Sequence, residues 1–364
     1  MILLALAGNV AAQAPAVARF RLRYEYPSSR SHLRLIDFKF LSARRGIAAG
    51  WIEDKGKEKG TLLVTSDGGQ TWTLEPFSQQ PVSLFFLDDS LGWMVTDKGV
   101  WKTLESGRSW QKLNNAPKDL LRVHFMDATH GFAVGYRKQM YRTADGGVTW
   151  SAVPEAAAAQ GSPENTTLGT IGFANARDGL VTGWNTPRGG QESPVPDWAD
   201  PVEARARRDV PTLTLFLETR DAGQTWKPTA ASLFGRLTRT SLRGGKGLGL
   251  IEFSDQFEWP SEVYRVDLGN GKSERSFRER TQVITDVLLN ADGAGYIAGY
   301  EAVSKVRRSP IPGPVKVFLS NDLQKWDEVP VDYRAEAHRC YLTSPDAGPV
   351  WLATDTGMLL SLEK

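Results

Sequence analysis

Only one cysteine, Cys340, and four histidines occur among 364 residues. A single thiol excludes an intrachain disulfide and a cysteine-based zinc site. His32, His124, His130 and His338 keep no metal-ligand spacing, and His130, just ahead of a glycine, reads as a turn residue. Neither a phosphate-binding loop nor a G-x-S-x-G elbow is present, so no metal, cofactor or catalytic residue is expected. Charge of one sign is also lacking: 44 Lys/Arg against 42 Asp/Glu leave +2. That balance gives no general attraction to nucleic acid or to an anionic membrane. No apolar run approaches the roughly 18 residues of a spanning helix.

What the protein does have is 12 Trp and 35 Gly, in an otherwise ordinary composition of 41% hydrophobic and 24% charged residues. Large rings need burial and glycines mark turns, which together suggest many short strands joined by tight hairpins. The N-terminus, MILLALAGNVAAQAPAVA, reads as the end of a secretory signal over residues 1–18, with an A-x-A site at Ala12–Ala14. It departs from that pattern in having no Lys or Arg before the apolar run and Pro15 just after the site; cleavage after Ala11 or Ala18 avoids the second departure. The expected location is therefore exported: periplasmic, lumenal or secreted.

Two signatures alternate along the rest. In the first, a large residue precedes a glycine by six positions, and a short apolar run follows: Phe40 and Gly46, Phe86 and Gly92, Phe125 and Gly131, Phe173 and Gly179. Weaker copies are Ser241 and Gly247, Leu289 and Gly295, and Leu342 and Gly348. Each reads as strand, turn, buried strand, seven times over. The second is a hairpin box, Thr-x-Asp-x-Gly-x-Thr-Trp, intact at Asp67/Trp72, Asp145/Trp150 and Asp221/Trp226. It is varied at Glu105/Trp110 and shortened by one residue at Asp322/Trp326. The carboxylate is expected to accept turn amides, the glycine to supply a left-handed φ, the threonine to pack as a strand residue, and the indole N–H to find an acceptor.

The signatures in order predict an all-β, seven-bladed propeller of four-stranded antiparallel blades over residues 19–364, with the box at each turn between strands C and D. The blades fall near Leu35–Pro76, Val82–Asn115, Leu120–Pro154, Leu168–Thr229, Leu237–Glu279, Ile284–Val331 and His338–Glu363. Blade 5 has lost its box but keeps a turn at Gly269–Lys272, and blade 7 supplies only three strands. The alternating segment Phe20–Tyr26 is expected to complete blade 7 and close the ring.

In this architecture the A–B and C–D turns share one face, which carries the boxes. The B–C and D–A loops share the other, and the insertions are predicted there: 53–60, 185–211, 254–261 and 301–314, with the D–A connections 153–167 and 271–282. Long loops on a rigid scaffold are where binding residues usually sit. Arg236, Arg239, Arg275, Arg278, Arg280, Arg307 and Arg308, with Lys272, Lys305 and Lys316, are opposed by Glu274, Glu279 and Glu301 alone, an excess larger than that of the whole sequence. Arginine suits carboxylates at interfaces; the plainer alternative is a solvated loop face, with the stem of Arg239 buried. Trp198 and Trp259 stand in the insertions, placed either to anchor a peptide or sugar or to pack over the channel mouth.

Units such as LRVHFMDATHGFAVGYRKQMYRTADGGVTW, recurring at roughly 40-residue spacing, resemble the photosystem II stability/assembly factor family of β-propellers and its bacterial relatives with BNR/Asp-box repeats. The resemblance covers nearly the whole sequence after residue 18. It implies an exported, non-catalytic propeller; photosynthetic members assist assembly of a reaction-centre polypeptide through a basic face. The large blade 4 insertion and the degenerate blade 5 depart from the pattern, and no functional residue carries over. The resulting expectation is a monomeric, protein- or peptide-binding propeller acting on a membrane or exported complex. The rival is an Asp-box glycoside hydrolase of the sialidase-like type, which needs three arginines, a Tyr–Glu pair and an acid; its early Arg-Ile-Pro motif is missing.

Overall fold

The structure is a computed structural model and describes residues 18–186, 212–253, 259–302, 311–346 and 348–363. Its strands form seven antiparallel sheets, each a blade of four strands, which in the first six blades run in sequence order from the central channel outward. Blade 1 is His32–Phe40, Gly46–Asp54, Lys57–Thr65 and Thr73–Pro76; blade 2 is Pro81–Phe86, Gly92–Thr96, Gly99–Thr103 and Gln111–Leu113. Blade 3 is Leu120–Phe125, Gly131–Gly135, Met140–Thr143 and Ser151–Ala152; blade 4 is Thr166–Phe173, Gly179–Asn185, Thr212–Thr219 and Lys227–Leu233. Blade 5 is Arg236–Arg243, Lys246–Glu252, Ser261–Asp267 and Lys272–Phe277; blade 6 is Gln282–Leu289, Gly295–Glu301, Gly313–Ser320 and Asp327–Val329. A short strand, Glu336–Ala337, also pairs with blade 6. Blade 7 is Cys340–Thr343, Trp351–Thr354 and Met358–Glu363, completed by the N-terminal Arg19–Glu25.

That N-terminal strand closes the ring. Leu22 pairs with Leu360, Phe20 is fully buried, and the Phe20 N–H donates to Pro330 O at 2.8 Å. One strand thus joins the two ends of the polypeptide and gives blade 7 its fourth, outermost strand.

The six-residue spacing has a direct cause. Phe40, Phe86, Phe125 and Phe173 each pair in register with the glycine that follows. Each ring lies over its glycine so closely that a Cβ on Gly92 would stand 2.4 Å from Phe86. In blade 5 the partner of Gly247 is Leu242 rather than Ser241, because the tight turn at Gly244–Gly245 shifts the pairing. In blade 7 the expected pair of Leu342 with Gly348 does not form; Leu342 pairs with Leu352.

The box works through more groups than its carboxylate. In blade 1 the Thr65 hydroxyl donates to Asp67 Oδ1 at 2.8 Å and accepts the Gly69 N–H at 3.0 Å. Asp67 also accepts the Thr71 N–H at 3.0 Å and the Thr71 hydroxyl at 2.6 Å. The same set recurs around Asp145 and Asp221. The first threonine, expected only to pack, is therefore a hub of the turn. The indole N–H of Trp72 and Trp150 reaches the box glycine carbonyl and that of Trp326 reaches Ser276 Oγ, whereas those of Trp110 and Trp226 are buried without a partner among the described residues. In blade 5, Asp267 takes over the role by accepting the Gly269 and Asn270 amides.

Two predicted loops carry regular structure. Residues 53–60 extend strands B and C of blade 1 into a ribbon turned at Lys55–Gly56, both with positive φ. The connection after blade 3 holds a short helix, Pro154–Ala158, and a 3-10 turn, Pro163–Asn165.

Candidate functional site

Strand A of six blades carries a β-bulge at one equivalent place, at Ile36, Val82, Leu121, Gly169, Thr238 and Thr285. A bulge re-aims the side chain beside it. The following residues, Asp37, Ser83, Arg122, Thr170, Arg239 and Asp286, hold one level around the axis, three positions before the residue that pairs with the start of strand B in most blades. Five bulged residues line a cavity of about 710 Å³ that also meets Tyr136, Trp184, Phe234 and Phe253, and so opens on the B–C/D–A face. A deeper chamber of about 240 Å³ shares Arg122, Thr238 and Arg239 with it.

Among the described residues the mouth holds four arginines, Arg122, Arg236, Arg239 and Arg339, against one carboxylate, Glu252. Glu252 is committed: Arg339 forks onto it at 2.7 and 3.1 Å, and Thr238 donates to it at 2.8 Å. That pairing holds Arg339 firmly charged, raised further above its ordinary range chiefly by the Glu252 charge. Arg236 lies over the Trp184 ring at 5.8 Å, a cation–π contact at the rim.

Inside the channel the carboxylates serve as staples between blades. Asp37 accepts the Leu84 N–H of blade 2 at 2.8 Å and bonds from Lys39 Nζ at 2.9 Å. Asp286 accepts the Leu342 N–H of blade 7 at 2.7 Å. Burial tends to raise both. At Asp37, Lys39 and Arg122 overcome it and hold the carboxyl low; at Asp286 burial outweighs Arg239 and the carboxyl is raised. His124 stacks on Phe173 at 5.1 Å and meets the tilted ring of Phe85 at 4.8 Å, and burial lowers it to about 4, so the ring is neutral.

The arginines singled out from sequence divide between two places. Arg236 and Arg239 line the mouth. Arg275 and Arg278 pair with Glu262 at 3.6 and 3.1 Å in blade 5. Trp259 lies under two guanidinium groups, Arg278 at 4.3 Å and Arg280 at 5.0 Å, so it is engaged by cations rather than packed over the mouth. Lys272 opens strand D beside the C–D turn and belongs to the opposite face. Trp198, Arg307, Arg308 and Lys305 lie outside the described residues. Arg122, Arg339, Trp184, Asp37 and Asp286 were not singled out. For Arg122, Asp37 and Asp286 the signal was a polar residue at one fixed offset in innermost strands that otherwise read as apolar.

A tyrosine bonded to a glutamate does exist, Tyr264 to Glu262 at 2.8 Å, but it sits in strand C of blade 5 and neither residue lines the mouth. Among the described residues no group of three or more His, Cys, Asp or Glu is placed to hold a metal ion.

The site therefore belongs to a seven-bladed propeller with a cationic, aromatic-rimmed channel mouth. Residues 112–186 match the family model of the photosynthesis system II assembly factor YCF48. A solved structure of YCF48 bound to a D1 peptide superposes with a TM-score of 0.62 at 16% identity, covering 95% of this chain and 96% of that one. YCF48 from Cyanidioschyzon merolae gives 0.58 at 14% identity, covering 96% and 99%. The chain is thus similar to YCF48 in sequence over residues 112–186, and the likeness to the solved structures shows the propeller fold. Among curated proteins, the vacuolar protein sorting/targeting protein 10 of Laccaria bicolor is 33% identical over 94 residues, which is 24% of this chain and 6% of that protein.

Proposed function

We propose that this protein is an exported, non-catalytic propeller that binds a protein or peptide on its B–C/D–A face, as an assembly or stability factor for a membrane or exported complex. The observation that carries this reading is the placement of the mouth cavity, with four arginines and an aromatic rim, on the face opposite the Asp boxes. Arginine and aromatic side chains are the usual anchors of protein interfaces. The Trp259–Arg278–Arg280 stack adds a second anchor of the same chemistry in blade 5. One solved YCF48 structure holds a D1 peptide and one partial relative is a sorting and targeting protein, and both support a polypeptide ligand. The glycosidase reading has no comparable support, since the sialidase Tyr–Glu pair has no counterpart at the mouth among the described residues.

The test is partner capture from the host with the wild-type protein and with an Arg236→Glu/Arg278→Glu/Arg280→Glu variant of unchanged fold. Loss of the captured partner supports the reading; an unchanged partner set contradicts it.

A further inference from the structure

Arg122 and Arg239 both line the channel, and among the described residues neither has an acceptor closer than 3.3 Å. Arg122 Nη1 reaches Asp37 Oδ2 only at 3.4 Å; Arg239 Nε stands 3.5 Å from Asp286 Oδ1 and its Nη1 3.3 Å from the carbonyl of Thr238. The two aspartates are already occupied by Lys39 and by backbone amides of neighbouring blades. Side-chain exposure differs accordingly: 26% and 22% for the arginines, 8% and 12% for the aspartates. What remains open to the cavity is guanidinium.

The electrostatics agree with the geometry. Burial lowers Arg122 below its ordinary value, repulsion from Arg239 lowers it further, and Asp37 and Asp286 only partly compensate. Two like charges held in a low-dielectric chamber without saturating partners are relieved by an anion placed between them. A guanidinium presents five N–H donors in a planar fork, and these two have most of theirs uncommitted among the described residues. Above them, the 710 Å³ mouth is lined by Tyr136, Trp184 and Phe234, room for an apolar group attached to the anionic head.

We propose that Arg122 and Arg239 form a carboxylate-binding site inside the channel, which receives the head of a ligand whose apolar body rests in the aromatic mouth. The free carboxyl end of a peptide and a small aromatic acid share that chemistry. The site is defined by the channel strands and stands whether or not the outer loops hold a protein partner.

Calorimetry on the full-length protein with three probes decides it: N-acetyl-Ala-Ala-Phe as the free acid, the same peptide as its amide, and phenylacetate. Binding of the free acid at least about tenfold tighter than the amide is expected, since the recognised group is the carboxylate. Binding by the peptide acid but not phenylacetate identifies a polypeptide terminus as the source; equal binding of phenylacetate identifies a small acid. Arg122→Lys keeps the charge but loses the fork, and Arg239→Met/Asp286→Leu removes the opposed pair together; each is expected to weaken the acid at least about tenfold. Failure of both acids to bind the wild type, equal affinity for acid and amide, or unchanged affinity in folded variants would overturn the proposal.

Discussion

Gly69, in the Asp box of blade 1, lies against Trp351 of blade 7, so closely that a Cβ on Gly69 would stand 2.3 Å from the indole Cη2. Trp351 in turn stacks on Phe40 at 4.3 Å with the rings 9° apart. The relationship recurs around the ring: the Gly107 box meets Ile47, the Gly223 box meets Phe132, and the Trp93 indole donates to the carbonyl of Gly146 in the next box at 3.0 Å. Each of these partners stands at the start of strand B of the preceding blade. The box therefore folds its own hairpin and also locks it onto the neighbouring blade.

This interlock separates two glycines of similar backbone. Gly56 has φ +73 and nothing within 4 Å of a built Cβ, whereas Gly69 has φ +82 and the Trp351 ring. Gly56→Ala is expected to cost about 1 kcal/mol for the left-handed conformation alone. Gly69→Ala should cost about 2 kcal/mol more, because the ring has to move. Chemical denaturation of both variants checks the difference, and equal losses would remove the contact with Trp351 from the account.

Asp37 joins blades 1 and 2 through the Leu84 amide. Replacing it with alanine strands that buried N–H and leaves Lys39 and Arg122 without their carboxylate. Asp37→Ala is expected to lower stability by about 3 kcal/mol or more, measured by urea unfolding. A loss below about 1 kcal/mol would mean that channel water replaces the staple.

Seven blades, their strand order and the ring closure were legible because most repeats announce themselves with a ring–glycine pair and a box. The channel site was harder to read, for a physical reason. Arg122 and Arg239 sit in runs, LRVHF and LTRTS, whose neighbours alternate as ordinary buried strands, and nothing local distinguishes a channel-facing arginine from a solvated one. Only superposing the repeats reveals the shared offset. The loops were misread where extended pairing continued past the sheet, as at residues 53–60, since a charged ribbon and a charged loop have the same composition.

Acid should loosen the boxes in a defined window. Asp67, Asp145 and Asp221 are each lowered to about 2, chiefly by the bond from the box threonine hydroxyl. In the unfolded state they return to about 4, so their stabilisation is present above that value and is lost as pH falls through about 2. Asp145 is exposed and Asp67 and Asp221 are partly so, and each contribution is therefore modest. A triple Asp→Asn variant is expected to have a lower Tm at pH 7 and a shallower fall between about pH 4 and 2; parallel curves would contradict this.

His124 gives a second window. Its ordinary value is 6.5 and burial lowers it to about 4 in the fold, so the unfolded state takes up a proton that the folded ring refuses. Stability is full above about pH 6.5 and falls until about pH 4, by at most about 3 kcal/mol, with channel water reducing the figure. His124→Phe should flatten that segment of the stability curve without altering its shape above about pH 7, as followed by denaturation at successive pH values. An unchanged slope between those limits would show that the ring is hydrated and titrates normally.

The central claim is that function lies on the face opposite the boxes. Blade 3 offers a matched pair of exposed positions: Tyr136 in its B–C turn, 50% exposed, and Val148 in its Asp box, 52% exposed. A photo-crosslinking amino acid placed at each, in the full-length protein inside its host, samples the two faces at equal accessibility. Polypeptide adducts from position 136 and none from position 148 are the predicted result. Adducts from position 148 equal to or stronger than those from position 136 would contradict the assignment of the binding face.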